Sequence, residues 1–137
     1  MPVIEVDMLI SFVNELDKYH EIAVKLFKSI ASGKVRNVKV ASSAYLEYDL
    51  ILRSKGYSDR EIREDLAMFS SISNLGEAPL TAKVLIKASE IRGKHGLTFF
   101  DSLHGATALL TDGTMISVDE AYKKVEGLRV ISPKTIK

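Results

Sequence analysis

Thr98-Phe99-Phe100-Asp101-Ser102-Leu103-His104-Gly105-Ala106-Thr107-Ala108-Leu109-Leu110, followed closely by Gly113-Thr114-Met115-Ile116-Ser117-Val118-Asp119, is the stretch whose reading decides the fold. It reads as helix, tight turn and short strand. Leu103, Ala106, Thr107 and Leu110 fall on one face at helical spacing, which predicts a largely buried helix. Asp101 stands at the helix start, where the positive end of the dipole favours an acid. Asp112-Gly113 is a turn signal, and the β-rich run Thr114 to Val118 leaves the sheet at Asp119. In an α/β sheet, ligands bind at that edge. An acid at a helix start and another at a strand end can therefore face one crevice, an arrangement that suits a hard divalent cation.

Outward from this stretch the chain alternates short strands with helices. Val3 to Val6 is an apolar run interrupted by Glu5, read as a strand that passes into a helix through Met8-Leu9-Ile10. If the strand continues through Asp7, then Glu5 and Asp7 share one side; a helix beginning there fans them apart. Ile22, Ala23, Leu26, Phe27 and Ile30 form an amphipathic helix closed by Gly33. Val38, Val40 and Ala41 form a second strand, and Ser42 or Ser43 caps a helix from Ala44 to Lys55 that places Glu47 in its opening turns. Ser58-Asp59-Arg60-Glu61 is a capping box for a helix running to about Ser71. Asn74 to Pro79 reads as a connection, and Leu80-Thr81 caps a helix whose Ala82, Leu85, Ile86 and Ile91 suggest a buried stripe ending at Gly93 or Gly96. After Asp119 come a short helix, Glu120 to Val125, and a last strand, Leu128 to Ile131. The alternation indicates a parallel sheet covered on both faces, in a single domain over residues 1–137.

Composition narrows the chemistry. The chain has no Cys, which removes disulfides, thiolate zinc sites and cysteine nucleophiles, so a metal would need oxygen ligands or the scattered His20, His95 and His104. A formal charge of +1 gives no bulk attraction to nucleic acid, and RNA binding needs a local basic patch. No window approaches the roughly eighteen uncharged apolar residues of a membrane span. The start, Met1 to Asp7, carries acids where a secretory signal carries Lys or Arg, so a cytoplasmic protein is expected. Neither a phosphate-binding Gly-rich loop nor a serine-hydrolase elbow is present.

The acids carry the functional reading. Taken singly, each of Glu5, Asp7, Glu47, Asp101 and Asp119 has an ordinary explanation as a helix cap or a solvated group. Together they follow strands or open helices, and in a parallel sheet those ends converge. Carboxylates gathered there repel one another unless a cation neutralises them, and an oxygen-only set favours Mg²⁺ or Mn²⁺ over zinc. Such a site can activate water and stabilise a phosphate in transfer, which makes phosphodiester hydrolysis the natural reaction. Ser117 either supports a metal-bound water or finishes its strand. His104 is read as a packing or surface residue and Tyr45 and Tyr48 as core. Arg53, Lys55, Arg60 and Arg63 make a locally basic helical hairpin that either guides an RNA backbone or is simply solvated. Met68 and Phe69 on that hairpin would suit a symmetric interface.

Taken together the chain resembles the PIN-domain family, and in particular its small prokaryotic VapC-like members, over almost its full length. Phe100 to Ala108 resembles the family's third motif and Met115 to Asp119 its fourth, while Val40 to Glu47 looks like the segment carrying its Glu. Gly127 to Ile131 looks like its closing strand. Ile4-Glu5-Val6-Asp7-Met8-Leu9-Ile10 resembles the opening Asp-x-Asn motif, with Glu5 in the place of the first acid and Asp7 in that of the Asn. An alternative alignment makes Asp7 the first acid but puts Leu9 where a polar residue belongs. The resemblance implies a three-layer α/β/α sandwich with a central, mostly parallel sheet of four to five strands. It also implies a Mg²⁺- or Mn²⁺-dependent ribonuclease acting on single-stranded or structured RNA, often a homodimer. In many small members the enzyme is a toxin restrained by an antitoxin protein.

Overall fold

A computed structural model of the chain describes residues 2–136. Five strands, β1 (Val3–Ile4), β2 (Val38–Ala41), β3 (Leu75–Ala78), β4 (Thr114–Ile116) and β5 (Arg129–Ile131), form one sheet in the order β3-β2-β1-β4-β5. Every neighbouring pair is parallel; Ile4 lies opposite Val40 on one side and Ile116 on the other. Val3, Ile4, Val38, Val40, Met115 and Ile116 are buried, as central strands covered on both faces must be. The chain steps outward from β1 to β3 and then returns past β1 to β4. Right-handed crossovers therefore set α1 (Val6–Val13), α2 (His20–Ala31), α3 (Ser42–Ser54) and α4 (Asp59–Ser70) on one face, and α5 (Ala82–His95) and α6 (Phe99–Thr111) on the other. The direction reverses between β1 and β4, and in sheets of this kind ligands bind beyond the carboxyl ends of the strands at such a reversal.

Local chemistry fixes the helix ends. Ser58 and Glu61 form both hydrogen bonds of the expected capping box, at 3.2 and 3.0 Å. The Thr81 and Thr98 hydroxyls cap α5 and α6, and Gly96 closes α5 in the left-handed region at φ 66°. At the centre of the main core Phe69 meets Phe12, Phe27, Tyr45 and Tyr48, with ring centroids 5.6 to 6.3 Å apart. A second core joins Val84, Ala88 and Ile91 of α5 to Leu103 and Ala106 of α6. Gly105 lets those helices close, because a Cβ there would stand 3.3 Å from Ile91 Cδ1. Among the described residues no helix is long and apolar enough to cross a membrane.

Several expectations need correction. The first strand stops at Ile4 and α1 begins at Val6, because the Glu5 side chain accepts the Asp7 N–H and caps the helix. The connection at Asn74 to Pro79 contains β3, an edge strand that pairs with β2 along its whole length. On α5 the inward stripe is Val84, Ala88 and Ile91, while Leu85 and Ile86 face outward. Leu110 is likewise exposed, although the rest of its predicted stripe is buried. Neither Ser42 nor Ser43 caps α3; that position is Ala41, without a side-chain bond. The segment after Asp119 is a 3-10 turn, Glu120–Lys124. Phe69 is fully buried and Met68 partly so, which removes the pair as an interface. Phe69→Ala should accordingly unfold the chain more easily, by about 3–5 kcal/mol in urea titration, with no change of oligomeric state as its primary effect.

Candidate active site

The crevice is lined first by the residues that leave β1. Glu5 caps α1, accepting the Asp7 N–H on Oε2 at 3.0 Å, and is 1% exposed; its Oε1 is buried with no hydrogen-bond partner. Burial raises the Glu5 pKa well above the carboxylate range and the Asp7 charge adds to this, against the Asp7 N–H and the Ser117 hydroxyl; the Asp101 charge pushes up again. Asp7 occupies the first turn of α1. Its pKa moves from 3.8 to about 6, chiefly by burial and then by the charges of Asp119, Asp101 and Glu47, with His104 opposing. Carboxylates from four separate segments therefore act on one another.

Glu47 is held from the far side of the crevice. The buried His104 of α6 bridges to α3, with Nε2 2.7 Å from Glu47 Oε1 and Nδ1 2.7 Å from Ser43 Oγ. A proton on Nε2 donates the hydrogen bond that Glu47 Oε1 accepts. Phe100 stacks beside the imidazole, its centroid 6.1 Å away. His104, read from the sequence as a packing or surface residue, instead serves Glu47, 57 positions away. Ser43 had been expected to cap the helix; buried in its first turn, it orients the histidine instead.

Asp101 is the third residue of α6, and the Thr98 hydroxyl accepts its N–H at 3.3 Å. Its Oδ1 receives the Tyr122 hydroxyl at 3.0 Å. Tyr122 is fully buried and lies close enough to Glu5, Asp101 and Asp7 that burial and their charges raise its pKa. No pattern around Tyr122 marks this role, because its partner Asp101 lies 21 positions away. Asp119 leaves β4 as the cap of the 3-10 turn, accepting the Ala121 N–H at 2.8 Å, and its own N–H donates to Ser117 Oγ at 3.0 Å.

The five acids chosen from the sequence lie close enough that Asp119, Asp101 and Glu47 act on Asp7, and Asp7 and Asp101 on Glu5. Among the described residues, however, no group of three or more His, Asp or Glu is arranged to hold a metal ion directly. The oxygen-only chemistry and the orphaned Glu5 Oε1 fit a hard cation that keeps much of its water; the present spacing does not clasp one. The basic hairpin is largely neutralised: Arg53 pairs with Asp49 and Asp59, and Arg60 with Glu64. Tyr48, read as core, is buried, and its hydroxyl donates to Asp65 at 2.6 Å.

Among curated proteins none matches the sequence. Solved structures share the fold at low identity. A chain of VapBC2 from Rickettsia felis, bound to a DNA fragment from its promoter, is 16% identical with a TM-score of 0.74, covering 95% of this chain and 96% of that one. VapC20 from Mycobacterium tuberculosis, described as a sarcin-ricin-loop-cleaving toxin, is 17% identical with a TM-score of 0.71, covering 90% and 93%. FitAcB from Neisseria gonorrhoeae is 15% identical with a TM-score of 0.69, covering 98% and 99%. The PIN domain family matches residues 4–128, nearly the whole chain including every acid of the crevice, and this protein belongs to it.

Proposed function

We propose that the chain is a metal-dependent endoribonuclease that hydrolyses RNA phosphodiester bonds and serves as the toxin of a toxin-antitoxin pair. The observation that carries this reading is the fixing of acids from separate elements near one another, Glu47 by His104 at 2.7 Å and Asp101 by the Tyr122 hydroxyl at 3.0 Å, with burial and the charges of Asp119, Asp101 and Glu47 raising the Asp7 carboxyl. So much unbalanced negative charge in one recess has a chemical use when a dication is present. Glu5, Asp7, Glu47, Asp101 and Asp119 would hold Mg²⁺ or Mn²⁺. Such an ion supplies charge for the phosphoryl oxygens and lowers the pKa of a water. The chain does the positioning: His104 fixes Glu47, Tyr122 fixes Asp101, and Ser117 steadies the backbone at Asp119. Carboxylate oxygens left free orient the attacking water by accepting its protons. Lys55 and Arg63, in no ion pair among the described residues, remain to meet an RNA phosphate on the hairpin. The names of the structural neighbours support an antitoxin as partner. For an antitoxin or a second copy, exposed apolar positions remain at Leu16, Leu85 and Ile86.

A second reading, a PIN domain that binds RNA or protein without cutting, is favoured by Glu5. Its carboxylate, one methylene further out than that of the Asp in the family's opening motif, is engaged by the Asp7 N–H, and misplacing a ligand by about an angstrom can cost roughly a hundredfold in rate. Incubation of single-stranded RNA with Mn²⁺ or EDTA separates the two. Cleavage should require Mn²⁺ and fall by roughly 10²–10³ in Asp101→Asn. Intact RNA under every condition establishes the second reading, and cleavage indifferent to EDTA and to the substitution overturns the first.

Two further outcomes are expected. His104→Ala should lower activity by about 10–100-fold through loss of Glu47 placement, measured as kcat at saturating Mn²⁺. A carboxyl whose folded pKa lies above its unfolded one binds its proton more tightly when folded, so the metal-free protein loses stability as pH rises from about 4 to about 6. In EDTA, Tm should therefore climb as pH is lowered through that window, and Asp7→Asn should raise Tm at neutral pH and flatten the dependence. Differential scanning calorimetry reads both.

A further inference from the structure

We propose that Lys18, Tyr19 and Lys134 seat the phosphates of a single-stranded RNA on the flank of the carboxylate crevice, an inference that rests on the ribonuclease reading above. Two cavities of about 210 and 220 Å³ meet at Tyr19 and Val118. The first reaches Asp7; the second reaches Ser117 and Asp119. The two recesses share Tyr19 and Val118 in their walls, one bordering Asp7 and the other Asp119, and together they form a trough.

Over that ring stand two ammonium groups from opposite ends of the chain, Lys18 Nζ at 4.9 Å and Lys134 Nζ at 5.5 Å from its centroid. The loop that carries Tyr19 is held in place: Asp17 Oδ1 accepts the Tyr19 N–H at 2.8 Å and the Ser11 hydroxyl at 3.1 Å, and the Ser11 carbonyl meets the His20 ring at 2.9 Å. Lys134 sits in a 3-10 turn capped by the Ser132 hydroxyl. The aromatic ring therefore holds two otherwise flexible cations at fixed places and reduces the ordering cost of binding an anion.

Charge decides what can lie there. Of the other charged groups lining the trough outside the acidic recess, Lys123 and Glu120 pair at 3.0 Å and Asp17 is occupied within its own loop. Lys18 and Lys134 are exposed and join no ion pair among the described residues. Two unpaired cations held over one tyrosine ring suit consecutive phosphates of a nucleic-acid backbone. Recesses of this size take one strand, because a duplex is too wide to enter them. The hairpin offers less, since Arg53 and Arg60 are already paired.

Fluorescence anisotropy of a labelled single-stranded oligoribonucleotide in EDTA, followed across a KCl series, tests the assignment with full-length protein. Lys18→Ala/Lys134→Ala should weaken binding about tenfold and make the slope of log K against log salt shallower by roughly 1.4, two contacts at 0.7 each. Tyr19→Ala should also bind less tightly, and Tyr19→Phe should restore wild-type affinity because the ring is kept. Arg60→Ala, which removes a cation already paired with Glu64, should bind nearly as wild type, and circular dichroism melts identify any variant that has lost its fold. Wild-type affinity and slope in the folded double-lysine variant overturn the proposal, as does failure of the wild type to bind RNA. The ribonuclease reading is judged separately by cleavage with Mn²⁺. Cleavage with an unchanged KM in the double-lysine variant rejects the trough and keeps the enzyme, whereas salt-dependent binding through these lysines without cleavage rejects the enzyme and keeps the trough.

Discussion

Like charges held together at low dielectric are the constraint on which this structure depends. A carboxylate brought out of water near others shifts toward its neutral form, as Glu5 and Asp7 both do. The fold nevertheless assembles the group, because the core leaves it no choice. The strands β1, β2 and β4 are parallel and paired in register, so whatever follows their last residues emerges along one edge. Glu5 follows β1 directly, Asp119 follows β4 closely, and Glu47 and Asp101 lie near the starts of α3 and α6. Hydrophobic burial of Val3, Ile4, Val40, Met115 and Ile116 thus enforces an electrostatic arrangement that the acids would not adopt on their own.

Specific donors make the arrangement tolerable. Each acid except Asp7 accepts at least one hydrogen bond: Glu5 from the Asp7 N–H, Glu47 from His104, Asp101 from Tyr122 and Asp119 from the Ala121 N–H. Several sit beside helix starts, where peptide dipoles favour negative charge. Compensation is incomplete at Glu5 Oε1, which is buried without a partner. The residues with the least compensation are those facing the switch point between β1 and β4, where a ligand has room.

What the sequence disclosed follows from which forces act locally. Caps and turns are short-range, so the Ser58 box, the closure of α5 at Gly96 and the helix-turn-strand of residues 98–119 were readable. The acids were readable because strand ends and helix starts converge in any parallel sheet. Long-range pairings were not. His104 reaches Glu47 across 57 positions and Tyr122 reaches Asp101 across 21, and no pattern in either neighbourhood marks the partner. Strand β3 was hidden because Leu75-Gly76-Glu77-Ala78 has turn-like composition and becomes a strand only through β2. On α5 the apolar residues are numerous enough to fit two helical phases, and contact with α6 selected Val84, Ala88 and Ile91. Phe69 was misjudged as exposed because its burial comes from rings on α1, α2 and α3, none of them adjacent in sequence.

Under the ribonuclease reading, the same constraint sets an order of events. With a formal charge of only +1, the chain has no general attraction for a polyanion, and its crevice presents carboxylates to one. An RNA phosphate approaching that recess is repelled until the negative charge is balanced, so the cation must enter first. Repulsion of this kind fades within about 10 Å at moderate salt, which leaves cations a little way outside the recess free to hold the strand throughout. The strand is then held at the flank and brought to the recess by the ion. Binding and chemistry in this fold accordingly draw on different residues, and a substitution can weaken one while sparing the other.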